Sequence, residues 1–447
     1  MTLGFIILAA GQGTRMRSQV PKVLHPLAGR PMILYTVDVA RALTDFPPVL
    51  VVGYGAEAVR RTVGEAALYV EQVPQRGTGH AVLQARPVLE GRVDTVVVVC
   101  GDMPLLRAET LRRLVERQRE SGGPFTMLTL VSDDPRGFGR VVRDGQGAVR
   151  RVVEEAQATA EERAIGELNA GVYAFDGAWL WPHVARIPIS LPKEEFYLTD
   201  LVAMAAEEGR QIETLQVGDP LELLGINTRV HLAEAEAELR RRINRQWMEA
   251  GVTMIDPATT YIEAGVTIGA DTVIGPHTHL RGQTVIGRCC QIGPNAIVAD
   301  SVIADGCRVL ASVVEGAVME EGSDVGPFSH LRRGARLAAG AHVGNFGELK
   351  NATLGPGAKM GHFSYLGDAE VGAGANIGAG TITCNFDGER KHRTVVGAGA
   401  FIGSDTMLVA PVRVGEGAKT GAGAVVTHDV PDGAVAFGVP ARVKGTR

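Results

Sequence analysis

Between Leu8 and Lys22 the chain reads Leu-Ala-Ala-Gly-Gln-Gly-Thr-Arg-Met-Arg, followed shortly by Pro21-Lys22, directly after the apolar run Phe5 to Leu8. A glycine-rich turn at the end of a strand presents backbone N–H groups to a phosphate, and Arg15 and Lys22 carry the charge to neutralise one. Met16 stands where a dinucleotide fingerprint has its third glycine, and no Gly-Lys-Ser/Thr follows, so neither common nucleotide motif fits. An ordinary strand-to-helix turn with solvated Arg and Lys accounts for the same residues. A second feature favours the phosphate. Val96 to Cys100 ends in Gly101-Asp102-Met103-Pro104, which puts a carboxylate at the carboxyl edge of a strand, where open α/β sheets bind ligands. Asp102 there can hold Mg²⁺ that bridges triphosphate oxygens, or cap the following helix.

The second half of the chain places its titratable groups differently. Asn345-Phe346-Gly347-Glu348-Leu349-Lys350 and Gly361-His362-Phe363-Ser364-Tyr365 stand out among small residues, and Thr383 to Arg393 is a polar, basic interruption expected to protrude as a loop. Loops on rigid scaffolds often carry function.

The elements that must position these groups differ between the halves. In the first, Phe5 to Leu8, Val49 to Val52 and Thr95 to Cys100 alternate with helical patterns such as Glu109 to Arg119, the rhythm of an α/β, mostly parallel, Rossmann-like sheet. Asn227 to Ala250 has Leu232, Leu239, Ile243 and Trp247 at helical spacing. It reads either as a connecting helix or as the last helix of the first domain. Counting in sixes from Ile262 then lands on Ile268, Ile274, Leu280, Ile286, Ile292 and Val298. After a slip the count resumes at Val325, Leu331, Leu337, Val343 and Leu349, and again at Val396, Ile402, Leu408, Val414 and Thr420. Glycine often follows the aliphatic residue, and small residues fill the fifth position. A helix needs a period of 3.6, so this is a parallel β-helix of hexapeptide repeats with three hexads per rung. Some nine rungs at the inter-strand spacing give a prism on the order of 40 Å long. The expected domains are 1–227, a helical linker 228–250, and the β-helix 251–447. Side-to-side oligomers and capped ends are expected of such a solenoid.

Composition narrows the function classes. At 447 residues the chain has room for two cores. A formal net charge of -5, with Lys and Arg spread along the chain, leaves no footprint for nucleic acid or an anionic membrane. No stretch reaches the roughly 20 apolar residues of a membrane span, and the start is unlike a signal peptide. Five cysteines, Cys100, Cys289, Cys290, Cys307 and Cys384, form no C-x-x-C pair and fit reduced core thiols in a cytoplasmic protein.

Leu-Ala-Ala-Gly-Gln-Gly-Thr-Arg-Met with Pro21-Lys22 resembles the signature of sugar-1-phosphate nucleotidyltransferases. Gly77-Thr78-Gly79-His80-Ala81, Asp102, Asn169-Ala170-Gly171 and Tyr197-Leu198-Thr199-Asp200 extend the likeness. Together with the hexads, the whole chain is most similar to the bacterial bifunctional N-acetylglucosamine-1-phosphate uridylyltransferase/glucosamine-1-phosphate acetyltransferases. The resemblance implies that the β-helix is left-handed. It implies that Leu8, Ala9, Ala10, Gly11, Gln72, Gly77 and Thr78 form the uridine and phosphate side of a UTP site, with Cys100 and Gly101 beside them. Gly139, Glu154 and Asn169 then hold N-acetylglucosamine-1-phosphate, Asp102 and Asn227 ligate Mg²⁺, and Arg15 and Lys22 meet the phosphates.

Acetyl transfer from a thioester to an amine needs a base of near-neutral pKa beside the amine. His362 matches the family's catalytic histidine, with Glu348 expected to orient or tune it. By the same resemblance Arg332, Lys350, Tyr365 and Asn376 bind glucosamine-1-phosphate, and Ala379, Asn385, Phe386, Ser404 and Ala422 meet acetyl-CoA. The family forms homotrimers whose neighbouring helices share each acetyltransferase site. Two positions depart from the pattern. Members can carry Tyr where Phe386 stands, and an Arg contacting coenzyme A where this chain has Gly438, for which Arg442 or Lys444 is the available replacement. Two other readings stay open. One is a single-function nucleotidyltransferase whose β-helix only oligomerises, and the other is a non-catalytic assembly subunit.

Overall fold

The apolar runs of the first half become the centre of a nine-stranded sheet. Leu3–Ala9 lies between Val49–Val52 and Thr95–Cys100, all parallel, and Leu68–Glu71 extends the parallel set outward. Strands covered on both faces read as continuous apolar runs, and Ile6, Ile7, Val49 to Val52 and Val96 to Val99 are all fully buried. On the other side one strand interrupts a sheet that is mostly parallel, as expected. Glu167–Asp176 runs antiparallel to both Thr95–Cys100 and Phe125–Val131, and Glu213–Gln216 closes the edge in parallel. The chain reaches Glu167–Asp176 through the hairpin Gly139–Arg143 and Val149–Val153. A parallel entry needs a longer crossover connection, usually a helix. The glycine-rich turn after Ala9 and Gly101-Asp102 leave this sheet at the same carboxyl edge, because their strands are parallel neighbours in register.

The structure is a computed structural model that describes residues 2–191 and 194–446. It divides into two compact units, Met1–Leu239 and Arg240–Arg447. That division falls inside a single 21-residue helix, Arg229–Glu249. Ala235 and Leu239 are buried, while Ile243 and Trp247 pack on the core of the second unit. The helix expected from Asn227 to Ala250 is therefore one element that contributes to both units. Among the described residues no helix is long and apolar enough to cross a membrane.

The second unit has the three flat faces of the expected prism, in sheets of 12, 10 and 9 strands. Residues about three hexads apart pair in parallel, as in Val273 with Gln291 and His279 with Ile297. Every residue of the hexad count is buried, from Ile262 at 2% exposure to Thr420 at 3%. The fifth positions, such as Thr272, Thr278, Thr284 and Ser329, are buried too, which explains their small size. The slip in the count is a set of shortened corners: Val298 to Ile303, Val309 to Val314 and Val314 to Met319 step by five residues, and Asp300 and Ala311 turn two of those corners in the left-handed region. At the far end Ala441–Thr446 folds back antiparallel on Ala434–Gly438 and caps the stack. Cys290 and Cys307 fill the core as expected, but Cys289 does not. It is exposed, at a corner with φ of 56°, and Cys100 and Cys384 are only partly buried.

Candidate active sites

Two cavities open at the carboxyl edge of the first unit's sheet, and Leu8, Thr78, Cys100 and Asp102 form a wall common to both. The first, about 420 Å³, is also lined by Ala9, Ala10, Gly11, Lys22, Gln72 and Gly77. The second, about 200 Å³, is lined by Gly139, Glu154, Asn169 and Asn227 together with Gly137, Phe138 and Thr199. All the nucleotide-side and sugar-side residues expected from the sequence therefore converge, except Gly101 and Arg15. Gly101 lies beneath the wall, its N–H bonded to Leu8 O at 2.9 Å. Arg15 reaches the seam through Nη2, 3.0 Å from Asn227 Oδ1.

Charge concentrates at that seam. Lys22 Nζ is in direct contact with Asp102 Oδ2 and lies 3.2 Å from Asn227 Oδ1. Gly13 makes room for this lysine: its φ is 67°, and a Cβ there would stand 2.6 Å from Lys22 Cβ. Two oxygens thus meet at one point already occupied by positive charge. One carboxylate plus one amide oxygen suits Mg²⁺, which keeps most of its positions for water and phosphate. No cluster of three or more His, Cys, Asp or Glu able to cage a metal is found among the described residues. The donor set therefore fits a cation held jointly with substrate phosphates. Burial, with Asp102's charge beside it, pushes the Cys100 thiol up to about 12, which keeps it protonated and inert.

Hydrogen bonds fix the walls. Gln72 Nε2 donates to Gly77 O at 2.8 Å and to His80 Nδ1 at 3.1 Å, while burial and then Arg76 lower the His80 pKa and favour the neutral ring this bond requires. On the sugar side Thr199 Oγ1 donates to Glu154 Oε1 at 2.9 Å, and Asn169 Nδ2 to Tyr173 Oη at 2.7 Å. Asp200 follows Thr199, and burial, reinforced by Glu154, raises its carboxyl to about 6. Gln75, whose Nε2 donates to Ala10 O at 2.5 Å, also lines the first cavity, and nothing in its sequence context signals this.

In the second unit a single corner stacks His362 with Ala379, Ser404 and Ala422, three of the five residues expected around acetyl-CoA. Gly361-His362-Phe363, Gly378-Ala379-Gly380, Gly403-Ser404-Asp405 and Gly421-Ala422-Gly423 succeed one another rung by rung. They are joined by Gly380 N to Phe363 O (2.7 Å), Asp405 N to Ala379 O (2.6 Å) and Gly423 N to Ser404 O (2.8 Å). The small-residue wall below His362 spans three rung spacings, about 14 Å. His362 is exposed and has no hydrogen-bond partner among the described residues. Glu348 does not reach it. Its Oε1 accepts from Arg332 Nη1 at 2.8 Å, and that bond raises the arginine's pKa.

Arg332, Glu348, Lys350 and Tyr365 share the 10-stranded side of that corner, where Glu348 pairs with Tyr365. Asn376 lies on the 12-stranded side, between Lys359 and Phe401. The structure also brings in Lys391, which the sequence did not single out. Its charge, followed by that of Arg332, lowers the Lys350 pKa, so three cations crowd one region. The expected loop is present. Asn385 is buried at its root with Nδ2 bonded to Asp368 Oδ2 at 2.6 Å, and Phe386 is exposed. Asp387 ties the tip by accepting from Arg390 N (2.7 Å), Glu389 N (2.8 Å) and His392 Nε2 (2.6 Å). Arg442 lies on the capping strand opposite Phe437, two strands beyond the level of Ala422, with Nη1 on its neighbour Ala441 O at 3.4 Å.

Comparison with known proteins agrees with both halves. Residues 5–172 match the family model described as a MobA-like NTP transferase domain, and residues 393–428 match the bacterial transferase hexapeptide (six repeats). A protein named "Bifunctional protein GlmU" from Heliobacterium modesticaldum is 49% identical over 434 residues, covering 96% of this chain and 94% of the relative. Proteins of the same name from Stutzerimonas stutzeri (49%, 98% of this chain and 96% of the relative) and Pelobacter propionicus (47%, 97% and 95%) are similarly close. At such identity over nearly the full length of both partners, this chain belongs to the family of bifunctional GlmU proteins.

Proposed function

We propose that the chain makes UDP-N-acetylglucosamine in two steps: acetyl transfer from acetyl-CoA to glucosamine-1-phosphate, then uridylyl transfer from UTP to the resulting N-acetylglucosamine-1-phosphate with release of pyrophosphate. The observation that carries the second step is the pair of cavities sharing the Leu8–Thr78–Cys100–Asp102 wall, because a nucleotide and a sugar phosphate must meet across one seam. An oxygen of the sugar phosphate attacks the α-phosphorus of UTP in line, and pyrophosphate leaves. No covalent enzyme intermediate is needed, so positioning and charge neutralisation account for catalysis. Leu8 to Gly11, Gln72, Gly77 and Thr78 bind the nucleotide, while Gly139, Glu154 and Asn169 hold the sugar. Lys22 and Arg15 meet the phosphates. Asp102 and Asn227 would hold Mg²⁺, which when bound would supply charge neutralisation to the phosphate oxygens.

For the first step His362 takes the proton from the glucosamine amine as that nitrogen attacks the thioester carbonyl, and coenzyme A leaves as the thiol. Its exposure and lack of a partner suit a base that must approach substrate. Arg332 and Lys350, with Lys391 beside them, meet the sugar's phosphate, and Tyr365 and Asn376 the sugar itself. Acetyl-CoA lies along Ala379, Ser404 and Ala422, with Asn385 and Phe386 at its acyl end and Arg442 or Lys444 at its nucleotide end. Asn376 and Tyr365 flank the His362 corner on different faces, which supports a site completed by a second copy in a homotrimer. Sedimentation of the full chain tests that arrangement.

The two activities are separable by assay. Pyrophosphate release from UTP and N-acetylglucosamine-1-phosphate reads one, and thiol release from acetyl-CoA and glucosamine-1-phosphate reads the other. Asp102→Ala is expected to abolish the first and spare the second. His362→Ala should do the reverse, costing acetyl transfer a factor on the order of 10² to 10⁴. Equal loss of both activities in either variant contradicts the assignment.

A further inference from the structure

The loop 133–138 supplies Gly137 and Phe138 to the wall of the sugar cavity, and Gly139 opens the strand behind it. At its centre Arg136 is held in the left-handed region, with φ of 46°, a conformation rare for a residue with a side chain. Two carboxylates grip it. Asp134 Oδ2 accepts from Arg136 Nε at 2.9 Å, and Glu234 Oε2 accepts from Nη1 at 2.6 Å. Asp134 belongs to the loop itself, but Glu234 lies on the helix Arg229–Glu249. At the other end of the loop the fully buried Arg140 donates from Nη1 to Phe138 O at 2.5 Å. The loop is therefore anchored behind by a buried arginine and in front by an ion pair to a distant helix.

That helix also serves the opposite wall. Glu236 Oε2 accepts from Ala28 N–H at 2.8 Å, in the tight turn between Pro26–Leu27 and Arg30–Pro31 on the segment that begins with Lys22. Asn227 stands just before the first helical turn, its N–H 3.4 Å from His231 Nδ1. Three parts of the uridylyl site thus meet one helix: the lysine-bearing segment, Asn227 and the sugar-side loop. Of these tethers only Arg136–Glu234 is an ion pair between side chains, each about one-third exposed.

We propose that the Arg136–Glu234 pair is a positioning latch that holds the sugar-side loop against the helix, and so sets the affinity of the uridylyl site for its sugar phosphate. The proposal rests on the reading of the second cavity as the N-acetylglucosamine-1-phosphate subsite. Neither residue touches substrate. They act through Gly137, Phe138 and Gly139, so the effect falls on sugar binding and not on the chemical step or on UTP. A partly exposed ion pair carries at most about a fivefold change. It is also screened by salt.

The test uses the full-length protein. Glu234→Gln and Arg136→Ala are each expected to raise KM for N-acetylglucosamine-1-phosphate about three- to fivefold, leaving kcat, KM for UTP and acetyl transfer close to the parent values. The charge-reversed double variant, Arg136→Glu with Glu234→Arg, should recover most of the loss. Added NaCl should raise the parent's sugar KM more steeply than that of Glu234→Gln. A merely structural contact gives neither the recovery nor the altered salt response. Asn169→Ala serves as the control on the subsite. If it raises the sugar KM while Glu234→Gln and Arg136→Ala do not, or if the double variant fails to recover, the latch is overturned. If Asn169→Ala leaves the sugar KM unchanged, the subsite reading fails, and the latch with it.

Discussion

Gly367 has no room for a side chain: a Cβ there would stand 2.2 Å from Tyr365 Oη and 2.7 Å from Asn385 Nδ2. Both are the far ends of side chains, so an alanine can be accommodated by displacing them at little cost to folding. Those two groups are the ones proposed to meet sugar and acetyl donor. Gly367→Ala is therefore expected to lower acetyl transfer by about tenfold or more, because small misplacements at a reacting centre are expensive. The melting temperature and pyrophosphate release should stay near the parent's. A variant that keeps full acetyl transfer would remove Tyr365 and Asn385 from the site. Asp200 poses a different residue-scale question. Its carboxyl is raised to about 6 from an ordinary 3.8, by burial and then Glu154, so the fold disfavours the charged form. The stability linked to its proton is fully present below about pH 4 and is lost as pH rises through 6. Asp200→Asn cannot ionise. It should stabilise the protein relative to the parent at about pH 7.5, by on the order of 1 kcal/mol after discounting for partial exposure. The gain should vanish toward about pH 4. Thermal unfolding across that range checks it, and a pH-independent difference would contradict the assignment.

At the scale of elements, Thr420 takes the place of an aliphatic residue in the count by sixes, and the structure supplies the reason. Along the His362 corner the glycine N–H normally bonds the carbonyl of the inward residue one rung on, as Gly378 N does to Ile402 O and Gly421 N to Ala436 O, both at 2.9 Å. Gly403 N instead bonds the Thr420 hydroxyl at 2.9 Å, and that hydroxyl meets Thr406 Oγ1 at 3.1 Å. Thr420→Val keeps the volume but leaves a buried N–H unpaired, so it should cost about 1–3 kcal/mol in denaturant unfolding of the β-helix. A near-neutral result would mean the carbonyl ladder re-forms. The hexads were legible because one inward side chain repeats at fixed spacing, and the strands from Phe5, Val49 and Thr95 because parallel strands are apolar throughout. That Glu167–Asp176 runs against the otherwise parallel set was not legible, because strand orientation depends on the connection, which local composition does not encode. Residues of the proposed sites that adjoin a motif, such as Asn169 or Tyr365, could be nominated through that motif. Lys391, Gln75 and the Arg136–Glu234 pair were not, since each acts only through a partner distant in sequence. Cys289 shows the same limit: cysteine usually packs inside, but here a corner carries it to solvent.

On the scale of the whole molecule, the residues proposed for uridylyl transfer all fall within Met1–Leu239, and those proposed for acetyl transfer all fall within Arg240–Arg447. No side chain is asked to serve both reactions, so damage to one site should leave the other intact, as for sites without common partners. The product of the first reaction, N-acetylglucosamine-1-phosphate, is a stable small molecule that need not stay on the chain that made it. Separately purified Asp102→Ala and His362→Ala proteins should each fail to convert glucosamine-1-phosphate, acetyl-CoA and UTP into UDP-N-acetylglucosamine. Mixed, they should succeed, the first supplying acetylated sugar phosphate and the second consuming it. Product formation should begin after a lag while the intermediate accumulates, and added N-acetylglucosamine-1-phosphate should abolish that lag. The final rate should lie within about a factor of two of the parent at matched concentrations of intact sites. A mixture that stays inactive, although each variant performs its own half-reaction, would mean that the intermediate must pass between sites without leaving the protein, and that the two units are not catalytically independent.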